Sequence, residues 1–166
     1  MKASILYYSK SGHTKQMAEV MAETMAALPD MEARAFDIAE IDDDFFAESD
    51  CVILGTPTYV ASMAAPVKVW LDQAIRKYPV AGKLCGAFAT ADYLHGGAEI
   101  AIQEILTHFL TMGGLAYSGG GAYGKPVIHL GPVALSEDLA KTEENFRLYA
   151  QRMATETKTL FGTSAQ

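Results

Sequence analysis

Cysteine is scarce in this chain. The two present among 166 residues, Cys51 and Cys85, are too few for a disulfide framework and lack the spacing of a metal site. Both sit inside apolar runs, which reads them as small buried hydrophobes in a reducing compartment. Basic charge is also short: 13 Lys and Arg stand against 20 Asp and Glu, giving a formal net charge of −7. With no basic run to offset it, that balance disfavours nucleic acid and anionic membranes as partners. No apolar run approaches bilayer length, and the stretch Met1–Tyr8 lacks the apolar core and cleavage site of a secretory leader. Fourteen Gly and six Pro without a short period exclude collagen-like and low-complexity chains. No repeat or linker divides the sequence. The expectation is a cytoplasmic protein forming a single domain over residues 1–166.

Half of the residues are apolar, and they fall into an alternating order. Ala3 to Tyr8 reads as a short buried strand. Met17, Val20, Met21, Met25 and Leu28 then recur at helical spacing until Pro29-Asp30. A second strand is expected over Met31–Ile38, followed by a solvated loop at Asp42-Asp43-Asp44. Cys51 to Gly55 is a continuous apolar run typical of a central parallel strand. Val67, Trp70, Leu71, Ala74 and Ile75 mark a helix, Leu84–Thr90 a strand, and Ile100–Met112 a helix ended by Gly113-Gly114. Leu115–Ser118 reads as the fifth strand. A Gly/Pro-rich segment follows, then a last helix from about Glu137 to Leu160 with Ser136 as its cap.

Such alternation implies right-handed crossovers and an α/β doubly wound five-stranded parallel sheet, order 2-1-3-4-5, with helices on both faces. Ligands of these sheets bind beyond the carboxyl ends of the strands, so the loops after the first, third and fourth strands are the candidates. The first reads Ser9-Lys10-Ser11-Gly12-His13-Thr14 and runs into a helix. Unpaired N–H groups at a helix start favour an anion, and Ser9, Ser11 and Thr14 add hydroxyls while Gly12 permits close approach. It is neither a Walker loop nor G-x-G-x-x-G, which disfavours a P-loop or a Rossmann dinucleotide site. The second loop, Gly55 to Met63, carries Pro57, Thr58, Tyr59 and Val60 and could border a flat heteroaromatic ring. The third, Thr90-Ala91-Asp92-Tyr93-Leu94-His95-Gly96-Gly97-Ala98-Glu99, has a double glycine and two rings able to cover or polarise such a ligand. A phosphorelay receiver is disfavoured, because the third strand ends in Gly55-Thr56 without an acceptor Asp.

With these residues together, the sequence resembles the flavodoxin-like FMN proteins, and within them the WrbA-type NAD(P)H:quinone oxidoreductases. The likeness runs from Tyr8 to the last helix. It is carried by Gly55-Thr56-Pro57-Thr58 with Leu71-Asp72-Gln73, by Gly82-Lys83-Leu84 with Phe88, by His95-Gly96-Gly97-Ala98-Glu99 and by Gly121-Ala122-Tyr123-Gly124. The resemblance implies FMN as cofactor, its phosphate on Ser9 to Thr14, its ring and ribityl chain against Thr58, Tyr59 and Val60, and its pyrimidine edge under Thr90 to Gly97. It further implies NAD(P)H as reductant, a quinone or similar flat small-molecule acceptor, and Tyr78 and His95 as substrate-side residues. The alternative it leaves is a flavodoxin-type one-electron carrier without turnover of its own. Two departures are visible: the insertion that family carries between the second and third strands is absent, and Thr111 or Met112 stands where it has helix-end histidines near the flavin. A homodimer or higher homo-oligomer, with a rim shared through the Tyr123 loop, remains compatible with these departures.

Overall fold

The computed structural model describes residues 1–73 and 76–162. Seven strands are present: β1 (Lys2–Tyr7), β2 (Glu32–Asp37), β3 (Cys51–Tyr59), β4 (Ser62–Met63), β5 (Leu84–Ala91), β6 (Leu115–Ala116) and β7 (Val133–Leu135). Five helices connect them: α1 (His13–Ala26), α2 (Asp43–Ala47), α3 (Ala65–Gln73), α4 (Ala98–Thr111) and α5 (Leu139–Phe161). The sheet runs β2-β1-β3-β5-β6, all parallel, which is the order expected from the alternation. β7 also pairs with β5, alongside Ala89 to Ala91, while β6 lies alongside Leu84 and Cys85. The fifth sheet position is therefore one interrupted strand, and the segment 117–132 is looped out from its middle.

The central strands are apolar on both faces because helices cover both. α1 and α5 pack one face, where Met17, Met21 and Met25 meet Ile5, Ile53, Phe88, Phe146 and Tyr149. α2, α3 and α4 pack the other, where Phe46, Val67, Trp70, Leu71, Ile102 and Phe109 meet Leu54, Val52 and Ala87. Phe88 and Phe146 contact edge to face at 5.7 Å. Each such buried side chain contributes about 1.5–3 kcal/mol relative to exposure. Cys51 and Cys85 are fully buried free thiols, as expected, and burial pushes both up to about 12, so they stay protonated at neutral pH.

Five details differ from the sequence reading. Asp42, Asp43 and Asp44 are solvated as expected but do not form a simple loop: the Asp42 carboxylate accepts the Phe45 N–H at 3.0 Å and caps α2, which Asp43 and Asp44 begin and whose Phe45 and Phe46 are buried. The apolar run at Cys51 does not end at Gly55 but continues through Pro57 to Tyr59, then folds back as a hairpin onto β4. Leu115–Ser118 supplies only the first half of its strand. Ser136 opens a short 3-10 turn (Ser136–Asp138) and makes no cap bond, because its hydroxyl is engaged elsewhere. Leu28 lies past the end of α1, and Ala74 and Ile75 fall outside the described residues. No helix among the described residues is long and apolar enough to cross a membrane.

Candidate functional site at the carboxyl edge of the sheet

β1 and β3 are neighbours whose crossovers leave on opposite faces, and that divergence opens a crevice at their carboxyl ends. A cleft of about 370 Å³ lies there, lined by Lys10, Ser11, His13, Pro57, Thr58, Tyr59, Thr90, Ala91, Asp92 and Ser136. All three loops selected from sequence contribute to it.

Its floor is the start of α1. Gly12 takes the N-cap position with φ +94°, a left-handed conformation that an L side chain rarely adopts. The cap has no side-chain hydrogen bond and the first turn has no acid, so the orphan N–H groups and their partial positive charge are left for an anion. Ser9 does not face the cleft; its Oγ accepts the Gly12 N–H at 3.1 Å and shapes the loop. Thr14 is buried and shares a 2.8 Å hydroxyl contact with Thr90, tying α1 to the end of β5. Ser11 and Lys10 remain exposed on the cleft side.

One wall is a hydrogen-bonded chain. The Ser136 hydroxyl donates to Asp92 Oδ1 at 2.6 Å and lies 3.1 Å from His13 Nδ1, which is 3.3 Å from Ser11 Oγ. Three segments far apart in sequence are thereby held in register around the helix start. Ser136 carries no site signature in the sequence, because β7 before it is only three residues long and does not read as a strand end. The Pro132 that precedes it and the helix that follows were the available markers.

The opposite wall is the β3–β4 hairpin. Thr58 pairs with Met63 and Tyr59 with Ser62, leaving Val60-Ala61 as a two-residue turn with φ of 52° and 57°. Two positive values define the primed turn that suits hairpin twist but favours Asn-Gly. With Val and Ala there, each residue costs on the order of 1–2 kcal/mol of backbone strain. Thr58 Oγ1 is buried with no hydrogen-bond partner among the described residues. An orphaned hydroxyl beside a cleft is a position where a ligand atom restores the missing bond. Burial raises the Tyr59 hydroxyl above its ordinary value, with Tyr8 and Asp92 adding to the effect, so it stays neutral and able to donate.

The remaining expected residues are distributed around this core. Val60 is fully exposed at the hairpin tip, and Tyr93, Leu94 and His95 are exposed on the loop after β5. Gly96 packs against Tyr93 of its own loop, while Gly97, at φ +85°, abuts Ala61 of the hairpin so closely that an added Cβ would sit 2.5 Å from the Ala61 Cβ. Tyr78 is not brought to the cleft. It precedes β5, stacks on Trp70 at 5.8 Å, meets Phe46 edge to face at 5.1 Å and donates to Asp43 Oδ1 at 2.7 Å. Thr111 and Met112 are equally remote, since α4 starts at the cleft rim and ends roughly 20 Å along its axis at the other edge. His129 is exposed on the looped-out segment.

Comparison with known proteins agrees with this fold. The model of the family described as "Flavodoxin" matches residues 5–110. A flavodoxin of Clostridium saccharobutylicum is 39% identical over 97% of this chain and 100% of its own. An NAD(P)H dehydrogenase (quinone) of Rhodopseudomonas palustris (strain BisA53) is 31% identical over 76% of this chain and 82% of its own. Among solved structures, a flavodoxin, WrbA-like protein from Agrobacterium tumefaciens superposes with a TM-score of 0.76 at 26% identity, covering 96% of this chain and 98% of that one. A Fusobacterium nucleatum flavodoxin bound to flavin mononucleotide gives 0.72 at 16% identity, covering 93% and 98%. The fold, the position of the cleft and the match along nearly the whole length lead to one conclusion: the chain belongs to the flavodoxin family.

Proposed function

We propose that this protein is an FMN-dependent electron carrier of the flavodoxin type, with FMN seated in the carboxyl-edge cleft. The observation that carries the reading is the pairing of an uncapped, acid-free helix start with an orphaned hydroxyl across the same cleft. The first suits a phosphate, and the second suits a polar atom further along the same ligand. When bound, FMN supplies the redox chemistry, taking up and releasing electrons through its ring system.

The chain's residues hold and orient it. The N–H groups at the start of α1 and the Ser11 hydroxyl receive the phosphate, and Lys10 adds a nearby positive charge. His13, Ser136 and Asp92 keep the surrounding loops at fixed separation. Thr58 and Tyr59 line the ring side with hydroxyl groups and an apolar wall. The exposed apolar tips at Val60, Tyr93 and Leu94 form a rim that excludes water when another protein docks there. Carrier function is further supported by the full-length match to a flavodoxin.

A second reading is an NAD(P)H:quinone oxidoreductase, favoured by the match to a quinone-reducing dehydrogenase and by the WrbA-like neighbour. Tyr78 has no place in either reading. Adding NADH or NADPH anaerobically to the FMN-loaded protein separates the two. A carrier keeps its flavin absorbance band until an NADPH-dependent flavodoxin reductase is added. Direct bleaching by the nicotinamide alone establishes the oxidoreductase reading instead.

A further inference from the structure

The hairpin wall carries two strained residues at its tip, and strain of this kind persists only where surrounding contacts over-determine it. The contacts come from α4. Glu104 reaches across to β4, where its Oε2 accepts the Met63 N–H at 2.9 Å and the Ser62 hydroxyl at 2.8 Å, with Oε1 3.1 Å from the same hydroxyl. Among the described residues this carboxylate has no salt-bridge partner, although Lys68 and His108 line the same groove. Its hydrogen bonds all go to the hairpin. α4 is a rigid mount, because Ala101, Ile102 and Ile105 on either side of Glu104 are fully buried against the sheet. About two turns earlier, at the N-cap of α4, Gly97 leaves just enough space for Ala61.

We propose that Glu104 is a positioning residue for the bound flavin: it clamps Ser62 and Met63 to α4 and so holds Tyr59 and Val60 at the ring. The role rests on the cleft being an FMN site. A charged acceptor taking a backbone N–H and a hydroxyl together is stronger than a neutral one, and its loss leaves the Met63 N–H unpaired in a partly buried place. The strained Val60-Ala61 turn then relaxes, and the wall facing the ring moves.

Three readouts test this in the intact chain: hydrogen exchange of the Met63 amide in the FMN-free protein, FMN dissociation constant, and flavin midpoint potential. Glu104→Ala is expected to speed Met63 exchange at least tenfold, weaken FMN about tenfold and shift the midpoint potential, with the global unfolding midpoint near wild type. Glu104→Gln, which keeps an acceptor oxygen for Met63, recovers most of the loss. The change A61G in the E104A background, which keeps Val60, also recovers part of the binding, since Gly holds the positive φ of the second turn residue without strain or clamp. If E104A does not fold, Ser62→Ala and E104Q give the same readouts at smaller size. Wild-type exchange in E104A overturns the clamp. Faster exchange with unchanged FMN affinity and potential overturns the positioning role. Failure of the wild-type protein itself to retain FMN removes the flavin reading, and this role with it, and that failure is recognised without any variant.

Discussion

The two ends of this molecule both hold aromatic and polar residues and use them in different ways. Around Tyr78 the side chains partner one another: the hydroxyl donates to Asp43, the ring lies between Trp70 and Phe46, and Lys77 pairs with Asp43 at 2.7 Å, with only the buried Trp70 Nε1 left without a partner among the described residues. At the carboxyl edge the helix start is uncapped, Thr58 Oγ1 is orphaned, and two hairpin residues sit in a disfavoured conformation. The first region closes on itself and stabilises the fold. The second gathers an open helix start, an orphaned hydroxyl and a strained turn around one cleft, and that convergence marks where a ligand is received. An aromatic residue at a family-like position is weaker evidence than several unsatisfied groups converging on one cleft.

Ser11→Asp breaks this contrast most severely. A carboxylate placed against a phosphate costs about 4 kcal/mol at short range, enough to abolish FMN binding in a fluorescence titration. The exposed position predicts a melting temperature close to wild type. Tyr78→Ala does the reverse. Loss of the stacked ring and of the bond to Asp43 is expected to cost about 3 kcal/mol in urea unfolding, with FMN affinity within about twofold of wild type. Thr58→Val sharpens the comparison at a single atom. Removing the orphaned hydroxyl stabilises the FMN-free protein by about 1 kcal/mol and weakens FMN about fivefold. Opposite signs in apo stability and affinity are the signature of a group kept for its ligand.

The smallest effect is on acid stability. Lys77, and then Tyr78, hold the Asp43 carboxyl below its ordinary range. A carboxylate lowered on folding contributes stability that is present above its unfolded pKa and is lost as pH falls through the folded value. Asp43→Asn is therefore expected to flatten the decline of the unfolding midpoint below about pH 4 slightly, because the pair is exposed and screened.

Much of this contrast was legible in the residues. Continuous apolar runs at β1, β3 and β5 required a sheet covered on both faces, and the loops between them had to gather at one edge. Nine residues of the cleft lining follow from that placement. What stayed hidden depended on contacts between distant segments. Pro57 reads as a strand breaker, yet β3 carries it at the point where the hairpin leaves the sheet. Ser136 reads as a helix cap because the three-residue β7 before it has no periodicity to detect. The substrate role of Tyr78 is implied by resemblance alone, and only the positions of Trp70, Phe46 and Asp43 show that it packs. Glu104 has no local signature at all, since its partners are about forty residues away in the chain.

The most direct test of the central claim is an FMN titration of the FMN-free protein, followed by flavin fluorescence, in wild type, Ser11→Asp and Tyr78→Ala side by side. The account predicts equal saturable binding by wild type and Tyr78→Ala, and none by Ser11→Asp. Binding retained in Ser11→Asp but lost in a folded Tyr78→Ala would place the ligand at the other end of the molecule and contradict the account.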